Sequence, residues 1–260
     1  METNKIYQGD CLELMKQIKD KSVDLILCDL PYGTTACKWD TIIPFEPLWE
    51  QYKRIIKDNG AIVLTASQPF TSALVMSNIK MFKYEWIWES NRSPNFAQAP
   101  YMPLKNVENV LVFSFGGCAH PAKNRMKYNP QGVTKVSKVC KQKTVGKYLH
   151  RGGMPTAETY EQRGTGYPTQ VIRVDKDSKP LHPTQKPVAL FEYLIKTYTN
   201  EGDLVLDNCA GSFTTAIASE NLKRNWICIE KEAEYCAIGE KRIKENRERL
   251  HKQIIVGLSS

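Results

Sequence analysis

Histidine is scarce and paired cysteine is missing. The 260 residues hold four His, and the eight Cys (Cys11, Cys28, Cys37, Cys118, Cys140, Cys209, Cys228 and Cys236) never fall at CxxC spacing. Zinc sites draw on such grouped ligands, so no metal is expected. Thiols scattered through apolar runs read as free cysteines in a reducing compartment. No stretch approaches the roughly 20 apolar residues of a membrane span. The start, Met1 to Lys5, lacks the apolar core of a secretory signal, and the chain reads as soluble and cytoplasmic. GxGxxG and the Walker lysine are both absent, which argues against a nucleoside triphosphate as ligand.

What is present is a large apolar fraction and an uneven charge. Hydrophobic residues make up 42% of the chain, enough for a substantial core, and the formal net charge is +8. Between Gly117 and Pro180 thirteen Lys and Arg face four Asp and Glu, so the positive excess sits there and the remainder is nearly neutral. Such a segment suits a polyanionic partner.

Apolar runs alternate with helical spacing along most of the chain. Strands are expected at Val23 to Cys28, Ala61 to Thr65, Tyr84 to Trp88, Val110 to Phe115, Asp203 to Asp207 and Asn225 to Glu230. Helices are expected at Cys11 to Lys19, Pro47 to Lys57, Pro69 to Asn78, Val188 to Tyr198, Ser212 to Asn221 and Ala233 to Lys252, with Asn59 and Gly60 capping the second. This alternation predicts an α/β fold with a doubly wound, mostly parallel sheet. Residues 118–179 break the pattern: they are basic, rich in Gly, Thr, Gln and Tyr, and expected to form a loop-rich insertion.

Two strand ends carry chemistry. The stretch Asp29, Leu30, Pro31, Tyr32 puts a carboxylate, a rigid turn and a ring where the strand from Val23 stops. Ligands of open α/β sheets sit at such carboxyl ends. Asp207 to Ser212 is a glycine-containing turn between a strand and a helix, which lets a ligand approach backbone amides. Glu230 ends the next strand, at the spacing where an acid accepts from two ribose hydroxyls.

With His182, Pro183, Thr184, Gln185, Lys186 and Pro187 between them, these stretches resemble, in order, the three diagnostic motifs of the beta group of DNA amino-methyltransferases. Gly9-Asp10 and Ile229-Glu230 match two further acidic positions of that family. The resemblance runs from about residue 5 to 250 and implies a Rossmann-like methyltransferase sheet with circularly permuted motif order. Residues 1–117 would be a catalytic half, 118–179 a target-recognition insertion and 180–260 a cofactor-binding half. It implies S-adenosylmethionine as cofactor, DNA as partner and, as in restriction-modification enzymes, a homodimer.

Residue by residue, the resemblance has Asp207, Gly211, Ser212 and Thr214 bracket the methionine portion of the cofactor, and Thr184 and Lys186 approach its carboxylate end. Glu230 would take the ribose and Asp10 the cofactor's adenine amine. Asp29 counts among both the cofactor-binding and the catalytic positions, the latter with Leu30, Pro31 and Tyr32. Lys186-Pro187 also reads simply as a helix start. An adenine amine is a poor nucleophile because its lone pair is delocalised; Asp29 and the Leu30 carbonyl would accept its hydrogens and localise that pair. Tyr32 would stack on a base flipped from the duplex, with Trp86, Trp88 and Phe96 as secondary candidates for lining the pocket.

Lys123, Arg125, Lys127, Lys141, Lys143, Arg151 and Arg163 are the candidate phosphate contacts. Two departures from the family stand out. Leu30 replaces a proline, and Phe213 replaces a glycine; Phe213 is expected in ordinary helical conformation with its ring turned away from the cofactor. No Pro-Cys pair occurs, which excludes C5 methylation of cytosine. Adenine N6 transfer leads; cytosine N4 transfer and an inactive DNA-binding relative stay open.

Overall fold

In the computed structural model, which describes residues 1–35, 40–119, 122–141, 159–177 and 185–258, the chain forms two units, Met1–Asn129 with Gln170–Ser260, and Pro130–Thr169. The larger unit holds β1 (Lys5–Gln8), α1 (Cys11–Met15), β2 (Val23–Asp29), α2 (Phe45–Ile55), β3 (Ile56–Ala66), α3 (Phe70–Ser77), β4 (Phe82–Glu89) and β5 (Val107–Phe113). After the smaller unit, with β6 (Thr134–Lys141) and β7 (Thr159–Thr165), it resumes. There follow β8 (Val171–Arg173), α4 (Val188–Tyr198), β9 (Leu204–Asp207), α5 (Thr214–Asn221), β10 (Asn225–Glu230) and α6 (Ala233–Leu258).

Period-two burial organises the main sheet. In β2, Ile26 and Cys28 enter one core while Leu25 and Leu27 enter another; in β3, Ile62 and Leu64 are divided from Ala61 and Val63 in the same way. Strands apolar on both faces need cover on both. Leu48, Trp49 and Tyr52 of α2 supply one cover, and Leu190, Phe191 and Leu194 of α4 the other.

The eight strands lie in the order β1-β10-β9-β2-β3-β5-β4-β8, and β5 alone runs antiparallel to its neighbours. The expected doubly wound, mostly parallel sheet is therefore present. From β2 the chain proceeds to β3 on one side, and from β9 to β10 on the other. The β2–β9 junction is thus the switch point, where loops diverge and leave a crevice at the carboxyl ends.

Three expectations need correction. The first helix closes after Met15 rather than Lys19, because Gln17 and Ile18 N–H groups bond back to Leu14 and Met15 in a tighter turn. Asn59 and Gly60 do not cap α2. They lie inside β3, where pairing shifts from Val23–Ile56 to Leu25–Ala61. The separate unit is also narrower than 118–179. Asn124 and Lys127 bond to the Asp58 and Asn59 carbonyls, and β8 pairs with β4, so both flanks belong to the main body. Composition registers charge, not backbone pairing.

The smaller unit is an antiparallel β6–β7 ribbon, with Lys138 opposite Gln162 and Cys140 opposite Tyr160. No helix among the described residues is long and apolar enough to cross a membrane, and those residues contain no group of three metal-ligating side chains.

Candidate active site

The last residue of β2 is Asp29, and the last of the adjacent β9 is Asp207, so two acids meet at the switch point. Parallel register puts Thr65 of β3 beside Asp29, and its hydroxyl donates to Asp29 Oδ1. Tyr32 donates to the same oxygen at 2.7 Å, and its hydroxyl oxygen lies 3.1 Å from Thr65 Oγ1. Lys186 Nζ donates to Asp29 Oδ2 at 2.8 Å and lies 3.2 Å from Glu108 Oε2 on β5. Burial works against the Lys186 charge, but Asp29, then Tyr32 and Glu108, outweigh it and hold this amine well above the ordinary lysine range.

The resemblance puts Lys186 near the carboxylate end of the cofactor; in the structure its Nζ lies between two protein carboxylates, Asp29 and Glu108. Glu108 sits in an apolar strand that gave no sign of this pairing. The Lys186 backbone carbonyl accepts from Thr214 Oγ1 at 3.2 Å, so this one residue links Asp29 to the turn after β9. Pro187 starts α4, so the helix-start reading and the site reading describe the same residues. Thr184 lies outside the described residues.

Tyr32 is less open than expected. One face stacks on Phe70, with centroids 5.2 Å apart, and Lys186 Nζ is 5.7 Å from its ring centroid. Burial, then Asp29, pushes its hydroxyl well above the ordinary range, so it donates as a phenol. Leu30 is buried in the core. Beyond Pro31, Asp40 accepts the backbone N–H groups of Gly33, Thr34 and Thr35 at 2.7–2.9 Å and fixes the loop. Trp86 is a core residue whose Nε1 donates to Tyr198, and Trp88, nearly sealed, donates to the Val174 carbonyl. Trp88 joins Lys105, Glu108 and Lys176 around a small cleft of about 40 Å³. Phe96 stands in solvent.

On the other side of the switch point, Asp207 accepts from Thr215 and from the Cys209 N–H. Burial raises its carboxyl to about 6. Gly211 adopts φ 49°, and its N–H donates to Glu230 Oε2 at 2.7 Å; the Glu232 N–H binds Glu230 Oε1 at 2.9 Å. Asp10 caps α1 through Oδ1, accepting from Leu12 and Glu13. Ser212 and Thr214 are buried, and Arg242 of α6 donates to the Ser212 carbonyl at 2.5 Å and to Thr214 Oγ1 at 3.2 Å. Sequence reasoning passed over Thr65, Glu108, Asp40 and Arg242. Only Thr65 left a signal, as the polar end of a strand expected beside β2.

Phe213 corrects one expectation and meets another. Its backbone is left-handed, φ 61° and ψ 33°, not helical. The ring does turn away from the cleft, into a core with Trp226, Cys228 and Ile243.

The basic candidates divide. Lys127 is not available to phosphate: it is ion-paired with Asp24 and Asp203 at the amino edge of the sheet, away from Asp29. Lys123 and Arg125 are exposed but flank Asn124, which binds the Asp58 carbonyl at that same far edge. Arg163 is exposed on β7 and pairs with Glu161 at 2.9 Å. Lys143 and Arg151 lie outside the described residues, as does the side chain of Lys141.

An acid-led loop and a glycine turn meeting at one switch point of a mostly parallel sheet define the class: a Rossmann-like methyltransferase. The chain belongs to the DNA methylase family, whose profile matches residues 23–241. It is 30% identical over 256 residues to the DNA adenine methyltransferase YhdJ of Escherichia coli K12, covering 93% of this chain and 83% of that one. It is 26% identical over 269 residues to the type II methyltransferase M.HinfI of Haemophilus influenzae, covering 93% and 68%. The crystal structure of the M1.HpyAVI–SAM complex superposes with a TM-score of 0.59 at 25% identity, over 92% of this chain and 98% of that one. The cytosine-N4-specific PvuII DNA methyltransferase gives 0.65 at 17% identity, over 96% and 93%, a likeness of fold alone.

Proposed function

We propose that the protein transfers the methyl group of S-adenosylmethionine to the N6 amino group of adenine at specific sites in DNA. The observation that carries this reading is the Asp29 carboxylate at the end of β2, one strand from the glycine turn of β9. The Escherichia coli relative is an adenine methyltransferase, which supports the same base.

The turn fits the cofactor. A Cβ at Gly211 would meet nothing within 4 Å, leaving a cradle open to the backbone. Each Glu230 oxygen accepts one backbone N–H and keeps capacity for a ribose hydroxyl. Asp207, Ser212 and Thr214 border the methionine end, and the exposed Asp10 carboxylate the adenine end. Bound there, S-adenosylmethionine supplies an electrophilic sulfonium methyl group.

The residues around Asp29 do the rest. Its carboxylate takes three donors, from Tyr32, Thr65 and Lys186. A carboxylate offers roughly four lone-pair positions, which leaves one for an amino hydrogen of the target base. The Leu30 carbonyl takes the other, and the nitrogen lone pair is drawn out of the ring. Lys186 holds the acceptor in place through Oδ2, and Tyr32 borders the flipped base. Lys141, Lys143, Arg151 and Arg163 contact phosphates from the insertion.

The test is to incubate the protein with methyl-labelled cofactor and mixed-sequence DNA, digest to nucleosides and identify the labelled one by mass spectrometry. N6-methyladenine is expected. N4-methylcytosine, or no label in DNA, would overturn the proposal.

A further inference from the structure

The segment joining β4 to β5, residues 90–106, holds itself in place at the carboxyl edge of the sheet. Its neck closes through the Ser90 N–H and the Asn106 carbonyl at 2.8 Å. Within it, the Asn95 side chain donates to the Pro103 carbonyl at 3.2 Å and accepts the Lys105 N–H at 2.8 Å, while the Met102 N–H bonds to Gln98. Pro94, Pro100 and Pro103 fix further backbone angles. Lys105 Nζ donates to Ser67 Oγ, two residues beyond the Thr65 that touches Asp29. The loop is therefore built, and anchored beside the acid.

Its tip does the opposite of what apolar side chains ordinarily do. Phe96 is 77% exposed and Tyr101 87%, with Met102 and Leu104 also in solvent. Contiguous exposed apolar groups on an ordered surface mark a contact. From Ser90 to Asn106 there is no acid, whereas Arg92 and Lys105 are both exposed. Flat rings flanked by cations suit a polyanion with stacked apolar faces, which is nucleic acid rather than another copy of the chain.

We propose that Phe96 and Tyr101 enter the duplex at the target position and stack in the gap left when the base turns out toward Asp29. This rests on the methylation reading above and adds the groups that hold the gap open. Extrusion costs a few kcal/mol of pairing and stacking, and inserted rings return part of the stacking.

The test uses the full chain and a duplex carrying its site, found by sequencing methylated DNA, with the target adenine opposite either thymine or an abasic position. An abasic partner leaves no pair to break. Replacing both rings by alanine (Phe96→Ala, Tyr101→Ala) should slow transfer on the paired duplex roughly tenfold, the size of losing a stacked ring. On the abasic duplex the rate should return close to wild type, with cofactor affinity unchanged on both. Separately, Tyr101→Trp adds a fluorophore that mixed-sequence duplex should quench whether or not methyl transfer occurs. Equal loss on both duplexes, no loss, or no quenching overturns the proposal. A shift from dimer to monomer on ring removal, without the abasic rescue, assigns the tip to a second copy and also overturns it. Quenching by a wild-type-like protein that transfers no methyl group sinks the methylation reading and leaves ring insertion standing.

Discussion

The Phe213 ring lies against Gly239 of α6 so closely that a Cβ at residue 239 would come within 2.1 Å of Phe213 Cδ2. The absence of a side chain at residue 239 of α6 is the space that the ring on the turn after β9 fills. Phe213 keeps the left-handed conformation a glycine would favour, a strain of roughly 1–3 kcal/mol, offset by complete burial of the ring. Gly239→Ala should therefore destabilise the protein by about 1–3 kcal/mol through overpacking. In a Phe213→Gly background the same change should be neutral or stabilising, because alanine is the better helix former by roughly 1 kcal/mol. Urea unfolding of the four proteins in this cycle checks the coupling; additive effects would show that the two residues do not meet.

Lys186 separates two assignments. Bonded to Asp29 and Glu108, it would, on the proposed function, position the acceptor rather than bind the cofactor. Lys186→Met should lower turnover about a hundredfold or more, the scale of losing a preorganised electrostatic partner. Cofactor affinity should change by less than about threefold, under ~0.7 kcal/mol. A role at the cofactor carboxylate predicts instead a loss of affinity of roughly tenfold or more, as for a charged hydrogen bond. Calorimetric titration of the folded variant decides between them.

Asp207 sets an acid-side dependence of stability. Its folded-state carboxyl lies at about 6, raised by burial from 3.8. A raised carboxyl means the folded state holds the proton more tightly than the unfolded chain. Stability from this group is therefore greatest below pH 4, falls as pH rises from about 4 to 6, and is flat above. The loss is on the order of 3 kcal/mol. Asp207→Asn should remove that slope, so its stability relative to wild type rises across this window and then levels. A constant difference from pH 4.5 to 7.5 in denaturant unfolding would contradict the assignment.

Strand periodicity and the three motifs made the sheet, the acids at its switch point and most element positions legible in advance, because each is local: alternation within β2, a glycine turn after β9, an acid at each strand end. What escaped was set by partners distant in sequence. Nothing near Lys186 announces Glu108, and nothing near Phe213 announces Gly239. The left-handed turn at Phe213 is accommodated because α6 carries glycine at 239, where the ring packs, a fit visible only in three dimensions. Charge counting failed for Lys127 for the same reason, since Asp24 and Asp203 reach it from other strands.

That failure is itself testable. Lys127 is the hub of an ion network in which Asp24 is only 4% exposed and also binds Lys57 at 2.7 Å and the Leu204 N–H at 3.1 Å. Burial opposes the Lys127 charge, but Asp203 and Asp24 more than compensate and raise its affinity for the proton. Removing it leaves two carboxylates short of a partner, a cost of about 1–3 kcal/mol. Because the network sits at the amino edge, opposite the cleft, Lys127→Ala should lower stability by that amount and leave the salt dependence of DNA binding as it was. A phosphate contact would behave in the opposite way, cutting the logarithmic salt slope by about 0.9 with little effect on folding. Binding measured between 50 and 200 mM salt, roughly the range over which phosphate contacts dominate, together with urea unfolding of the same variant, distinguishes a residue that holds the sheet from one that holds DNA.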